Sequence, residues 1–160
     1  MSKSTISTFE LFQMFPDAEA ARVYMEGKRW PDGAVCPACD EAKRITARKD
    51  GFYRCNACKT DFTVRTATIF ERSHIPLHKW LYAMYLLVTA RKGISSLQLA
   101  KQIGVTQKSA WFMLQRLREA CGNFTFRLND GDVARHTLDR ISSLLFASTG
   151  KRLTYKALIA

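Results

Sequence analysis

Two cysteine pairs, Cys36-Pro37-Ala38-Cys39 and Cys55-Asn56-Ala57-Cys58, constrain this chain more than any other feature. Fifteen residues separate them, giving the pattern C-x2-C-x15-C-x2-C. That spacing falls in the range of structural zinc sites. Each C-x2-C turn can put two thiolates on one side of a tight loop, and a β-hairpin of the intervening length brings the second pair against the first. Four sulfurs at about 2.3 Å then close a tetrahedron around Zn²⁺ with no open position, so the site stabilises folding and does no chemistry. The expectation is one structural Zn²⁺ held by Cys36, Cys39, Cys55 and Cys58. Disulfides fit less well. The N-terminal MSKSTISTFELFQMF has no signal-peptide core or cleavage site, which points to a reducing, cytoplasmic setting. No thioredoxin-like βαβ pattern surrounds either pair, which argues against redox catalysis. The residue after Cys39 often needs a left-handed backbone, and Asp40 tolerates that better than most side chains. Cys121 reads as a buried free thiol. His74 and His78 are four apart, but Pro76 lies between them and blocks a regular helix. They and His136 read as structural or surface residues.

The pattern around the cysteines is short and β-like. Runs at 45–47, 52–54 and 61–64 flank the Asp50-Gly51 dipeptide, a hairpin signal. Before them, Pro16 and the N-cap candidate Asp17 open a helical pattern over 17–28, and Trp30-Pro31-Asp32-Gly33 makes a turn. After Pro76 the chain reads helical to about Arg91, with Trp80, Leu81, Met84, Leu87 and Val88 on one face. Gly93 stops it, and helices over roughly 95–102 and 106–120 follow. A weaker helical pattern spans 137–147. The fold class is α+β: a small four-cysteine zinc-ribbon hairpin domain followed by an all-α helix-turn-helix domain. The expected division is a helical segment over 1–29, the ribbon over 30–70, the helix-turn-helix over 71–121 and a helical tail over 122–160.

Charge points to an anionic partner. The chain has 160 residues, 25 of them Lys or Arg against 14 Asp or Glu, a net charge of +11. The excess peaks in residues 71–121, with eight basic and two acidic side chains. A membrane span is excluded, since the longest apolar run, 81–90, is half the roughly 20 residues required. Within the basic segment, residues 95–118 read SSLQLAKQIGVTQKSAWFMLQRLR. Ser95 and Gln98 form a capping box. Ala100 is small where two helices would cross, Gly104 sits in the turn, and Thr106 caps the second helix. Ala110, Met113, Leu114 and Leu117 recur as its buried face, a helix-turn-helix pattern. Gln107, Lys108, Gln115 and Arg116 are expected on the opposite face, with Ser109, Trp111 and Phe112 at its margins. Gln107 and Lys108, in the first turn, suit base edges in a major groove, and Lys101, Arg116 and Arg118 suit phosphates. A helical hairpin with a merely solvated basic face is the competing reading.

Three stretches together resemble a known family: FPDAEAARVYMEGKRWPDGAVCPAC, FYRCNACKTDFTVRTATIFERSHIPLHKW and RKGISSLQLAKQIGVTQKSAWFMLQRLREA. They are similar, from about Phe9 to Cys121, to the N-terminal half of the 1595 family of bacterial insertion-sequence transposases. The resemblance implies a zinc ribbon and helix-turn-helix that bind the inverted-repeat ends of a transposon as double-stranded DNA. It also implies an RNase H-like catalytic domain in which acidic residues hold Mg²⁺. Asp40 and Ala67 stand where the family usually has Gly, and Ala67 is expected to strain a turn. The closing GKRLTYKALIA resembles the extreme C-terminus of family members. The expectation is therefore an N-terminal half joined to a C-terminal tip by an internal deletion, with no catalytic residues. Asp130, Asp132 and Asp139 lie too close in sequence to reproduce carboxylates drawn from separate strands. The partners implied are transposon-end DNA and a second copy or an intact transposase, with no membrane and a nucleoid-associated location. A host transcription regulator built from the same two modules is the alternative.

Overall fold

The computed structural model describes residues 7–90 and 93–122. Helix α1 (Thr8–Met14) opens on a reciprocal capping box, in which Ser7 and Glu10 each bond the other's backbone N–H. Periodicity alone did not mark this helix; the Ser7-x-x-Glu10 signature could have. Helix α2 (Ala18–Arg29) is capped by Asp17, whose carboxylate accepts the Ala20 N–H at 2.8 Å. Its Ala21 and Met25 are buried.

Three antiparallel strands follow in the order β1 (Ile45–Ala47), β2 (Tyr53–Cys55) and β3 (Asp61–Phe62). Ala47 pairs with Tyr53 and Tyr53 with Phe62. The hairpin turn sits where Asp50-Gly51 predicts it, with φ of 59° and 73° at the two residues. Glycine suits position 51 because of that positive φ; a Cβ there would also press on the Arg22 side chain, which would have to shift. The last strand is shorter than the sequence suggests, because the backbone turns at Thr63. From there to Pro76 the chain is irregular.

Helices α3 (Leu77–Thr89), α4 (Ser96–Ile103) and α5 (Gln107–Gly122) complete the described chain. Among the described residues, no helix is long and apolar enough to cross a membrane. Cys36 and Cys55 belong to the same buried cluster as Trp80, Leu99, Met113 and Leu117, so the ribbon and the helices share one core. Its joints are aromatic. Trp30 meets Tyr53 and Phe62 edge-on at 5.4 and 5.7 Å, and Phe70 meets Trp80 at 5.1 Å. The segments read as a helix at 137–147, the thiol of Cys121 and the carboxylates of Asp130, Asp132 and Asp139 fall outside the described residues or side chains.

Candidate metal centre and nucleic-acid interface

The hairpin brings the two cysteine pairs together. All four Sγ atoms lie within 4.8 Å of one another. Cys36 and Cys58 are 3.6 Å apart, as are Cys39 and Cys55. A tetrahedron with bonds of about 2.3 Å has edges of roughly 3.8 Å, so the four thiolates fit one Zn²⁺ with little movement. Cys36 and Cys55 are fully buried, whereas Cys39 and Cys58 face the surface. Two left-handed residues make the turns close. Asp40 has φ 56° and its N–H bonds the Cys36 carbonyl at 2.9 Å, and Lys59, after the second pair, has φ 62°. The Thr60 hydroxyl and amide pull the Cys58 thiol down to about 6. Cys39 is pushed up to about 12: the Glu41 amide favours its thiolate, but crowding by the Cys58, Cys55 and Cys36 sulfurs outweighs it. Sulfurs this close cannot all ionise unless a cation neutralises them, which is what a zinc ion supplies.

The second element is the pair α4 and α5. Ser95 accepts the Gln98 N–H at 3.2 Å and Thr106 accepts the Ser109 N–H at 3.2 Å, so both helices start on side-chain caps. Gly104 joins them in the left-handed region, at φ 62° and ψ 52°. Its carbonyl accepts the Lys79 ammonium of α3 at 3.2 Å, which holds the turn to the rest of the fold. Ala110, Met113, Leu114 and Leu117 are all buried, as the pattern predicts, and pack toward Leu99, Ala100 and Ile103.

Positions 107, 108, 111, 115 and 118 fall within about 100° of arc on α5, away from that buried face. Gln107, Lys108 and Arg118 are exposed there, with Trp111 and Gln115 half-buried. Lys101 and Thr106 are exposed as well. Gln107 Nε2 donates to Ser96 Oγ at 3.1 Å, and an Arg118 N–H reaches the Ile94 carbonyl at 3.4 Å.

Arg116 departs from expectation. It lies on the other margin of the buried face and is only 9% exposed. One guanidinium nitrogen donates to the Ile69 carbonyl at 2.7 Å and the Glu71 carbonyl at 3.0 Å. The guanidinium also sits 4.2 Å from the centre of the Phe112 ring. Helical spacing puts residue 116 about 80° from residue 108, on the boundary between the two faces. Packing against the segment before α3 decides which way it goes. Its charge is thus used inside the fold, and Lys101, Lys108 and Arg118 are the expected basic contacts left at the surface.

Arg116 has two counterparts that sequence reasoning missed. Arg29 donates to the Val64 and Thr66 carbonyls at 2.7 and 2.9 Å, and Arg65 to the Ser73 and Ile75 carbonyls at 2.6 and 3.0 Å. Burial lowers the pKa of all three guanidinium groups below the ordinary arginine value. They supply donors to carbonyls that the segment's own turns, such as Thr66 N–H to the Thr63 carbonyl and Glu71 N–H to the Thr68 carbonyl, leave over.

Residues 16–61 match the family described as a transposase zinc-ribbon domain of the 1595 insertion sequences. A protein of Halobacterium salinarum, described as an uncharacterized protein in transposable element ISH50, is 34% identical over 95 residues. That alignment takes in 58% of this chain and 32% of the relative, so the chain spans about a third of the protein it matches. No solved structure matches. The matched segment holds all four clustered sulfurs and the hairpin that assembles them. Residues 16–61 thus combine the likeness to the transposase zinc-ribbon family with the four clustered sulfurs that such a ribbon needs.

Proposed function

We propose that residues 7–122 bind double-stranded DNA at the inverted-repeat ends of an insertion sequence, with α5 as the element that enters the major groove. The observation that carries this reading is the arrangement of α5. Its apolar face is buried to a few per cent, while Gln107 and Lys108 in its first turn and Arg118 further on stay exposed. A capped helix start beside a glycine turn presents those first-turn side chains to base edges, and Lys101 and Arg118 flank them for phosphates. The transposase ribbon makes transposon ends the DNA of choice over a host promoter. A second copy, or a transposase carrying the same ribbon, is the protein partner this reading allows. The two domains proposed are a ribbon over 30–70 and a helix-turn-helix over 71–121.

The same reading gives these residues no part in cutting or joining strands. Among the described residues, the four cysteines are the one cluster of three or more metal-ligating side chains, and a closed thiolate shell has no position for substrate. The test is the affinity for short labelled duplexes over a range of salt concentrations. With Lys101 and Arg118 on phosphates, log affinity should fall against log salt with a slope near −2, about −0.9 per cation. Binding that is absent at low salt, or indifferent to salt, contradicts the reading.

A further inference from the structure

The irregular segment 63–75 lies between the ribbon and the helices, and three arginines from three places hold its backbone. Arg29 comes from α2, Arg65 from the segment itself and Arg116 from the middle of α5. Together they satisfy six carbonyls, at Val64, Thr66, Ile69, Glu71, Ser73 and Ile75. The same segment follows directly on Phe62, the end of β3, and β3 pairs with the strand that ends in the zinc ligand Cys55. Phe62 stacks on Tyr53 at 5.6 Å, and Ile69 and Phe70 are buried in the shared core. A continuous line of pairing and hydrogen bonds therefore runs from the metal centre to α5.

We propose that Arg116 is a positioning residue for DNA recognition: it fixes α5 to segment 63–75, so that zinc in the ribbon sets the helix that reads DNA. The DNA clause rests on the function proposed above; the mechanical clause does not. Two features single out Arg116. It is the one buried charged residue in the described core. Its Nε is also buried without a hydrogen-bond partner, a cost of desolvation that a residue serving only to fill space would not incur. Arginine suits the task, because the two N–H groups on its Nη1 reach both carbonyls while the planar guanidinium lies over the Phe112 ring. Removing zinc frees Cys55 and loosens β2 and β3. The Ile69 and Glu71 carbonyls then lose their fixed position, and α5 loses a tether about two turns beyond its base-reading end.

Coupling of this kind is reciprocal: if zinc improves the binding of DNA, DNA improves the binding of zinc by the same factor. Two measurements test it. The first is hydrogen exchange at the α5 amides of residues 110–118, without DNA, before and after chelation of zinc. In the wild-type chain chelation should lower their protection at least about fivefold, and in Arg116→Met it should change them little. Equal losses in both chains, or none in either, overturn the proposal, because α5 is then held by α4 alone or by the whole fold. The second needs no variant. Zinc affinity, read by competition with a chromogenic chelator, should rise at least about fivefold when a short mixed-sequence duplex is added at low salt. If Arg116→Met does not fold with zinc, this measurement decides, and an unchanged zinc affinity overturns the proposal. Should the duplex fail to bind at all, the DNA reading has failed, and the exchange experiment still judges the tether.

Discussion

Ala67 sits at φ 58°, where an L-residue crowds its own carbonyl and glycine does not. The resemblance led us to expect strain at this turn, and the backbone takes the left-handed conformation there. Relief of a cost of about 1–2 kcal/mol, less the extra chain entropy that glycine loses on folding, leaves a net gain of about 0.5–1 kcal/mol for Ala67→Gly. A rise of a few degrees in Tm by calorimetry fits that account; an unchanged or lower Tm does not. His78 offers a second test on one residue. Burial holds its imidazole below the ordinary 6.5, with Lys79 adding to the effect and Asp17 opposing it. Its Nδ1 is buried without a partner. Folding favours the neutral ring, so this contribution to stability is intact above pH 6.5 and is lost as pH falls through the depressed folded value. His78→Gln should flatten the loss of stability between about pH 7 and 5, read from urea midpoints. An acid limb as steep as that of the wild type rules the assignment out.

The elements were legible in proportion to how locally they are determined. Helices α2, α4 and α5 announce themselves by side-chain caps and apolar spacing, α3 by Pro76 and its spacing, and Gly104 marks a turn that does take a left-handed backbone. The hairpin was written in Asp50-Gly51, and the metal site in the cysteine spacing. These signals rest on interactions within a few residues of each other. Helix α1 lies within the helical segment expected over 1–29, but its bounds were not legible, because Phe9, Phe12 and Met14 are exposed and blur the apolar stripe, so only its cap marks where it starts. The arginine tethers escaped for a different reason. Arg116 reaches carbonyls more than forty residues earlier, on a segment with no regular path. Neither charge nor periodicity says that such a segment will pass beneath α5. A basic residue on the boundary of a helix face can serve a phosphate or a buried carbonyl, and tertiary packing chooses.

At the scale of the whole molecule, the metal centre is part of the core rather than an appendage. Cys36 and Cys55 are buried in the cluster that continues to Trp80 and Leu117. Zinc analysis of protein purified without added metal should therefore give about one ion per chain. Cys55→Ser should lose that ion and lower Tm beyond what disruption of residues 30–70 alone would cause, since Phe62 and Trp30 anchor the ribbon to the helices. Full metal-free folding, followed by circular dichroism, contradicts this.

The central claim, that α5 reads DNA, meets its most direct test in a set of affinities on a duplex selected from a random pool and on its scrambled counterpart. Gln107→Ala and Lys108→Ala should each cost roughly 1–3 kcal/mol on the selected duplex and little on the scrambled one. Lys101→Ala and Arg118→Ala should weaken both duplexes alike and make the salt slope shallower by about one unit each. If the variants at 107 and 108 instead lose both duplexes equally, α5 presents only a basic face and the claim that it reads sequence is wrong.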